Sequence, residues 1–305
     1  MLPERGPWEH PYYAIPDARV DLRFRDEEGN ERNVAIRHKT LGEGRPLVLV
    51  HGLMTSSYSW RYVLEPLAKR YRVLAPDLVG SGASDKPLDL RYSVANVARF
   101  VAAYVRAVAP DEPVYLVGNS LGGLYCLRAL LDAENASLAR RFVIMHSPGY
   151  PLVRTKLSSV LFRTPGLGAA ARAVIAAVAH RWPATFVAKN VHYARSDMMS
   201  VEETKEYGRI FATRAEASVF AKILDESLTA KEHAAIVARL RGWTPPCPIE
   251  LLYATNDVMV PPSFGPRYAA DIPSAKLVWM ADASHFLHVD APERTVAELL
   301  AFDAE

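Results

Sequence analysis

Apolar positions along the chain follow two different periods. Leu47-Val48-Leu49-Val50, Val114-Tyr115-Leu116-Val117, Phe142–Met145 and Ile249–Ala254 are short, nearly uninterrupted apolar runs, the pattern of strands buried on both faces. Arg72–Ala75 and Ala275–Met280 read as further short strands. Between them, Trp60–Leu67, Val94–Val108, Leu121–Leu131, Ser263–Ala270 and Pro292–Phe302 repeat apolar residues at helical spacing, with Pro292 suited to a first turn. Strand and helix alternate, so the strands pair in parallel through right-handed crossovers. Ligands in such sheets gather at the carboxyl ends of the strands.

Two regions break this rhythm. Residues 1–17 carry Pro3, Pro7, Pro11 and Pro16 with Trp8, Tyr12 and Tyr13, and read as an irregular arm. After it, Arg19–Arg25 and Asn33–Thr40 alternate polar and apolar residues around a turn at Asp26–Asn30, which predicts a half-exposed hairpin. From Pro148 the strand pattern disappears until Pro245, Pro246 and Pro248. Ala169–Ala179 is alanine-rich, and Val201–Arg214 and Glu216–Leu228 look amphipathic. The expected division is therefore 1–147 and 245–305 as two parts of one α/β core, with 148–244 inserted as a helical cap.

Composition narrows the picture. At 305 residues, 50% of them hydrophobic, the chain can bury a large core, and its formal net charge of +2 points to no nucleic acid. Cys126 and Cys247 give neither a disulfide framework nor metal-ligand spacing. No run reaches the length of a membrane span, and the first residues lack a signal-peptide pattern, so a soluble cytoplasmic protein is expected. No metal and no cofactor are expected.

The chemistry sits at strand ends. Gly118-Asn119-Ser120-Leu121-Gly122 joins a strand to a helix, the context in which a serine is held in a sharp turn as a nucleophile. Serine needs a base, and the base needs an acid to orient it. Asp257 follows the strand 249–254 and His285 the strand 276–280, giving the chain order Ser120, Asp257, His285. Asp282 and His288 are the rival acid and base; Asp282 better suits a brace of the loop, and His288 suits packing or solvent. His146, after another strand, reads as a structural histidine, and His51 as a brace for its loop. The backbone N–H groups of Leu53 and Leu121 are placed to form an oxyanion hole. Asn119 and the apolar side chains Trp182, Phe186, Tyr193, Phe211 and Phe220 are candidate substrate contacts.

Taken together, His51-Gly52, Thr55-Ser56-Ser57-Tyr58 with Trp60-Arg61, and Ala75-Pro76-Asp77-Leu78 with Gly80 and Gly82 resemble α/β-hydrolases. So do Ser84-Asp85-Lys86-Pro87, the elbow, Asn256-Asp257 with Val260-Pro261, and His285-Phe286; the similarity is to the cap-bearing epoxide-hydrolase and haloalkane-dehalogenase branch. The resemblance implies a mostly parallel, eight-stranded twisted sheet flanked by helices. That branch carries an aspartate nucleophile where this chain has Ser120. Its dehalogenases place asparagine and tryptophan where Leu53 and Leu121 stand, which argues against halide release. The Gly-Asn-Ser-x-Gly-Gly elbow also resembles carbon–carbon bond hydrolases of aromatic-ring degradation. The expectation is a carboxylesterase-like serine hydrolase acting on a small apolar ester or related acyl compound. Carbon–carbon hydrolysis, cofactor-independent acyl transfer and a non-catalytic receptor remain the alternatives.

Overall fold

The computed structural model describes residues 2–151, 164 and 166–304; residues 152–163 and 165 of the expected cap lie outside the described residues. Among the described residues, eight strands form one sheet in the order β1-β2-β4-β3-β5-β6-β7-β8. The strands are β1 (Asp17–Arg25), β2 (Glu31–Leu41), β3 (Pro46–Val50), β4 (Arg72–Pro76), β5 (Val114–Asn119), β6 (Ala139–Met145), β7 (Ile249–Ala254) and β8 (Lys276–Met280). β1 and β2 pair antiparallel, as does β2 with β4, and every later pair is parallel.

Strand alternation explains why the central runs carry no polar position. Val48, Val50, Leu116 and Ile144 face one apolar cluster, whereas Leu47, Leu49, Val117 and Met145 face the other. The first cluster receives α2 (Val94–Val108) and α3 (Leu121–Leu130). The second receives α1 (Leu64–Ala68) and, from the chain's end, the helix Pro292–Ala304. The expected helix at 60–67 is instead a 3-10 turn at Ser57–Trp60 followed by α1. Pro66 has no N–H to donate back to Tyr62, so one continuous helix cannot form.

Between β6 and β7 the described chain is helical: α4 (Leu167–Arg181), α5 (Pro183–Asn190), α6 (Val201–Gly208), α7 (Arg214–Ser227) and α8 (Ala230–Leu240). The amphipathic stretch 201–214 is split. Thr213 and Glu216 form a reciprocal capping box that starts α7 afresh. The N-terminal arm runs against α6, where the Val201 N–H donates to Pro3 O at 2.8 Å and the Glu202 N–H to Glu4 O at 3.0 Å. The fold closes with α9 (Phe264–Asp271), α10 (Leu287–Asp290) and α11 (Pro292–Ala304). Among the described residues no helix is long and apolar enough to cross a membrane.

Candidate active site

Ser120 stands between β5 and α3 at φ +55° and ψ −127°, a left-handed conformation that a non-glycine residue adopts only under constraint. Close backbone packing supplies the constraint. A Cβ on Gly122 would lie 2.3 Å from Val50 O, and one on Gly52 would lie 2.8 Å from the Ser120 Cβ. The loop after β3 is therefore pressed onto the elbow, and a side chain at either glycine would push it away. The Ser120 N–H donates to Met145 O at 2.8 Å, and the Ser147 hydroxyl donates to Ser120 O at 2.8 Å.

Leu53 follows Gly52 in that loop and lines the small cavity beside it. Leu121 is the first residue of α3, so its N–H has no acceptor within the helix. His51 holds the loop: its Nε2 accepts the Leu78 N–H at 2.9 Å and its Nδ1 lies 2.8 Å from Gly52 O. Asp77 accepts the Ser57 and Ala83 N–H groups, each at 2.8 Å, so it braces its own turn.

The structure brings Asp257 and His285 together across the ends of β7 and β8. His285 Nδ1 lies 2.7 Å from Asp257 Oδ2. Asp257 Oδ1 accepts two backbone N–H groups, from Met259 at 2.6 Å and Val260 at 2.9 Å. Burial pushes this carboxyl up, but the His285 imidazole with its hydrogen bond, and the neighbouring His146, outweigh it and hold Asp257 well below the usual carboxylate range. Ser120, Asp257 and His285 are all buried.

His146, expected as a structural histidine, is fully buried beside the Asp257–His285 pair. Its Nδ1 lies 2.8 Å from the same Asp257 Oδ2, in a bent approach, and its Nε2 accepts the Ala254 N–H. Its φ of +45° is a strained backbone conformation that a sequence does not show. Among the described residues, His146, Asp257 and His285 form a group with metal-ligand chemistry, their ligand atoms within 4.8 Å of one another. Within the group the hydrogen bond is that between His285 Nδ1 and Asp257 Oδ2.

The rivals are placed elsewhere. Asp282 is exposed, and the brace expected of it is supplied by Asp290, which accepts the Ser284 N–H and hydroxyl at 2.8 and 2.9 Å and the Ala194 N–H at 2.8 Å. Asp290 was missed because the carboxylate that reaches back over a loop can come from the following helix. His288 is buried, with its ring stacked 4.1 Å from Trp60.

Asn119 is engaged within the protein. Its buried Nδ2 donates to His285 O at 3.0 Å, tying the elbow to the histidine loop. Phe186, Phe211 and Phe220 pack edge to face on one another at 5.0–5.8 Å, and Trp182 is 54% exposed. Tyr193 sits 5.2 Å from Phe286, itself next to the His285 ring, and its hydroxyl donates to Glu203. A small apolar cavity opens beside Gly52 and Leu53 instead, walled by Tyr92, Tyr125, Ile210 and Ile223. None of the five aromatic candidates lines it.

A strained serine between a parallel strand and a helix, with an acid and a histidine on later strand ends, defines a hydrolase of the α/β fold. The chain belongs to the alpha/beta hydrolase fold family, whose model matches residues 45–292. It is 26% identical over 268 residues to haloalkane dehalogenase 2 of Mycobacterium tuberculosis, covering 85% of this chain and 88% of that one. It is 34% identical over 123 residues to a 2-hydroxy-6-oxo-6-(2'-aminophenyl)hexa-2,4-dienoic acid hydrolase of Metapseudomonas resinovorans, covering 39% and 41%. A thermophilic esterase of Thermogutta terrifontis superposes with a TM-score of 0.72 at 20% identity, covering 93% of this chain and 97% of that one. At that identity the structural likeness speaks for the fold alone.

Proposed function

We propose that the protein is a serine hydrolase that cleaves a small carboxylic ester, or a related acyl compound, with an apolar portion. The observation that carries this reading is Ser120 at φ +55°, pressed against the Gly52–Leu53 loop on a sheet that also carries the Asp257–His285 pair. Ser120 Oγ attacks the carbonyl carbon while His285 Nε2 takes the hydroxyl proton. Asp257 holds the imidazole with Nδ1 protonated and stabilises the imidazolium that forms. The Leu53 and Leu121 N–H groups receive the developing oxyanion, a donor each being worth ~3–4 kcal/mol of transition-state stabilisation. The tetrahedral intermediate collapses, His285 returns its proton to the leaving alcohol, and water repeats the sequence on the acyl-enzyme. The chemistry calls for no metal and no cofactor.

The helices of residues 148–244 act as a cap on this core, and Ile210 and Ile223 reach the cavity beside Leu53. Dehalogenation fits poorly, because neither Leu53 nor Leu121 offers a side-chain N–H to a halide. Carbon–carbon bond hydrolysis is the second reading, favoured by the 34% match to the dienoic acid hydrolase across 123 residues. Chromogenic esters of increasing acyl length, run beside Ser120→Ala and fluorophosphonate-labelled enzyme, test both. The expected result is turnover of short esters, lost in Ser120→Ala and after labelling. Labelling at Ser120 without ester turnover would select the carbon–carbon reading, and no labelling would overturn the serine mechanism.

A further inference from the structure

We propose that the exposed side of α4 docks the protein onto an anionic lipid surface. Of the 15 residues of this helix, only Arg172, His180 and Arg181 carry polar side chains. A helix so apolar around its circumference is ordinarily packed on every side. Here one side is packed: Gly168, Ala176 and Ala179 are buried, and α7 lies against the helix, joined to it by Arg172 and Asp225 at 2.6 Å. With a turn every ~3.6 residues, Leu167, Val174 and Val178 fall on one line along the other side. They are 51%, 61% and 40% exposed, and the exposed Ala170, Ala173 and Ala177 lie beside them. A single exposed aliphatic side chain is ordinary, whereas a continuous row of them marks a surface that something covers.

The charges around the row select the occupant. From Gly166 to Ser196 the sequence has no Asp or Glu, against Arg172, Arg181, Lys189 and Arg195. Arg172 is paired with Asp225 and Arg195 with Asp197. The exposed Arg181 and Lys189 have no carboxylate partner among the described residues. Arg181 lies 5.4 Å from the ring of Trp182, itself 54% exposed at the end of the row. Aliphatic side chains suit the acyl boundary of a bilayer, an exposed indole its headgroup level, and cations the lipid phosphates. A second copy of the chain fits worse. In a two-fold interface the same face meets itself, which would bring Arg181 and Lys189 toward their own copies with no acid from this stretch to pair them.

The docking face is continuous with the cavity beside Leu53. The Phe186 N–H donates to Trp182 O at 2.9 Å, and the Phe186 ring packs 5.3 Å from that of Phe211. Ile210, next to Phe211 in the chain, is a wall of the cavity. Resting on the serine-hydrolase reading, this arrangement narrows the substrate class to apolar esters that partition into lipid.

The test is co-sedimentation of the full chain with vesicles of phosphatidylcholine alone or mixed with phosphatidylglycerol. Binding is expected on the mixed vesicles, with little on phosphatidylcholine, and raised salt should release it. Val174→Glu with Val178→Glu should abolish binding while the melting temperature stays near that of wild type, because both sites are exposed. Arg181→Gln with Lys189→Gln leaves the aliphatic row intact and should weaken binding about 25-fold, at roughly fivefold per charge. Equal binding to both vesicle types, or binding that survives the two glutamates, would overturn the proposal. A dimer in sedimentation velocity that Val174→Glu dissociates, with no vesicle binding, would assign the face to a second copy. Slow thiol labelling of Val178→Cys in monomeric protein would show that the same chain covers the face; Cys126 and Cys247 are buried and stay silent. None of these readouts needs turnover. Vesicle binding without ester turnover would therefore sink the hydrolase reading and leave the docking surface standing.

Discussion

The sheet's carboxyl edge and the helical stretch from Leu167 to Leu240 are built on different terms. At the edge, backbone geometry decides the residue: only glycine fits where a Cβ at 122 would meet Val50 O at 2.3 Å, and Ser120 is held by its neighbours in a left-handed turn. In the helical stretch, side-chain packing decides, and many apolar residues would serve. The two regions meet at a buried ion pair, where Arg61 from the loop after β3 lies 2.9 Å from Glu203 on α6, with both side chains shielded from solvent. Arg61 also lies over the Tyr58 and Tyr62 rings at 4.5 and 4.3 Å. A position fixed by backbone contacts leaves a motif in the sequence, whereas a position fixed by packing leaves only a hydrophobic pattern.

The sharpest way to separate the regions is to remove chemistry without touching packing. Ser120→Ala should lower kcat by about 10⁴-fold or more while thermal unfolding shifts little, because the hydroxyl contributes to the reaction and not to the core. A melting temperature that falls along with activity would show that the elbow serine is structural. At the junction the expectation reverses. Glu203→Ala leaves the Arg61 guanidinium buried without its carboxylate and should cost about 3–5 kcal/mol in denaturant unfolding. Replacing both, Arg61→Met with Glu203→Leu, should recover most of that loss. A single variant as stable as wild type would mean that the helices do not depend on this pair. Between these lies Gly122→Ala, in which the added methyl meets an immovable carbonyl. Overpacking of this kind costs about 1–3 kcal/mol, and here it also displaces the Leu53 loop, so kcat should fall together with the unfolding midpoint.

What was legible follows the same divide. The parallel core, the elbow and the Ser120, Asp257, His285 order could be read because each is announced by a strand ending in a short polar loop. The helices α5 and α8 were not singled out, although Pro183 stands in the first turn of one and Thr229 caps the other by accepting the Glu232 N–H. The break at Thr213 was written as a capping box, yet the apolar period ran on through it. His146 and Asp290 escaped for another reason. His146 lies against a residue from a distant strand end, a relation set by how strands are ordered in the sheet, whereas Asp290 reaches back onto Ser284 from the helix that follows. Local spacing carries no record of that order.

The finest contrast lies in the cavity, where both regions contribute walls. Leu53 and Met54 come from the loop after β3, Tyr125 from α3, and Ile223 from α7. Ile223 is buried against a packed neighbourhood, and a Cβ on Gly80 would meet its Cδ1 at 3.0 Å. Ile223→Val removes one methylene there. Stability should fall by only ~0.5–1.5 kcal/mol. If the proposed esterase reading holds, the room gained next to the Leu53 loop should shift the ester chain-length preference upward, and one methylene in an apolar pocket changes selectivity by about tenfold. Measured as the ratio of kcat/KM for consecutive acyl lengths, that shift would place the acyl group beside Leu53 and make α7 a wall of the binding pocket. An unchanged ratio at reduced stability would assign Ile223 to packing alone, and the search for the acyl group would move to the Tyr193–Phe286 side of His285.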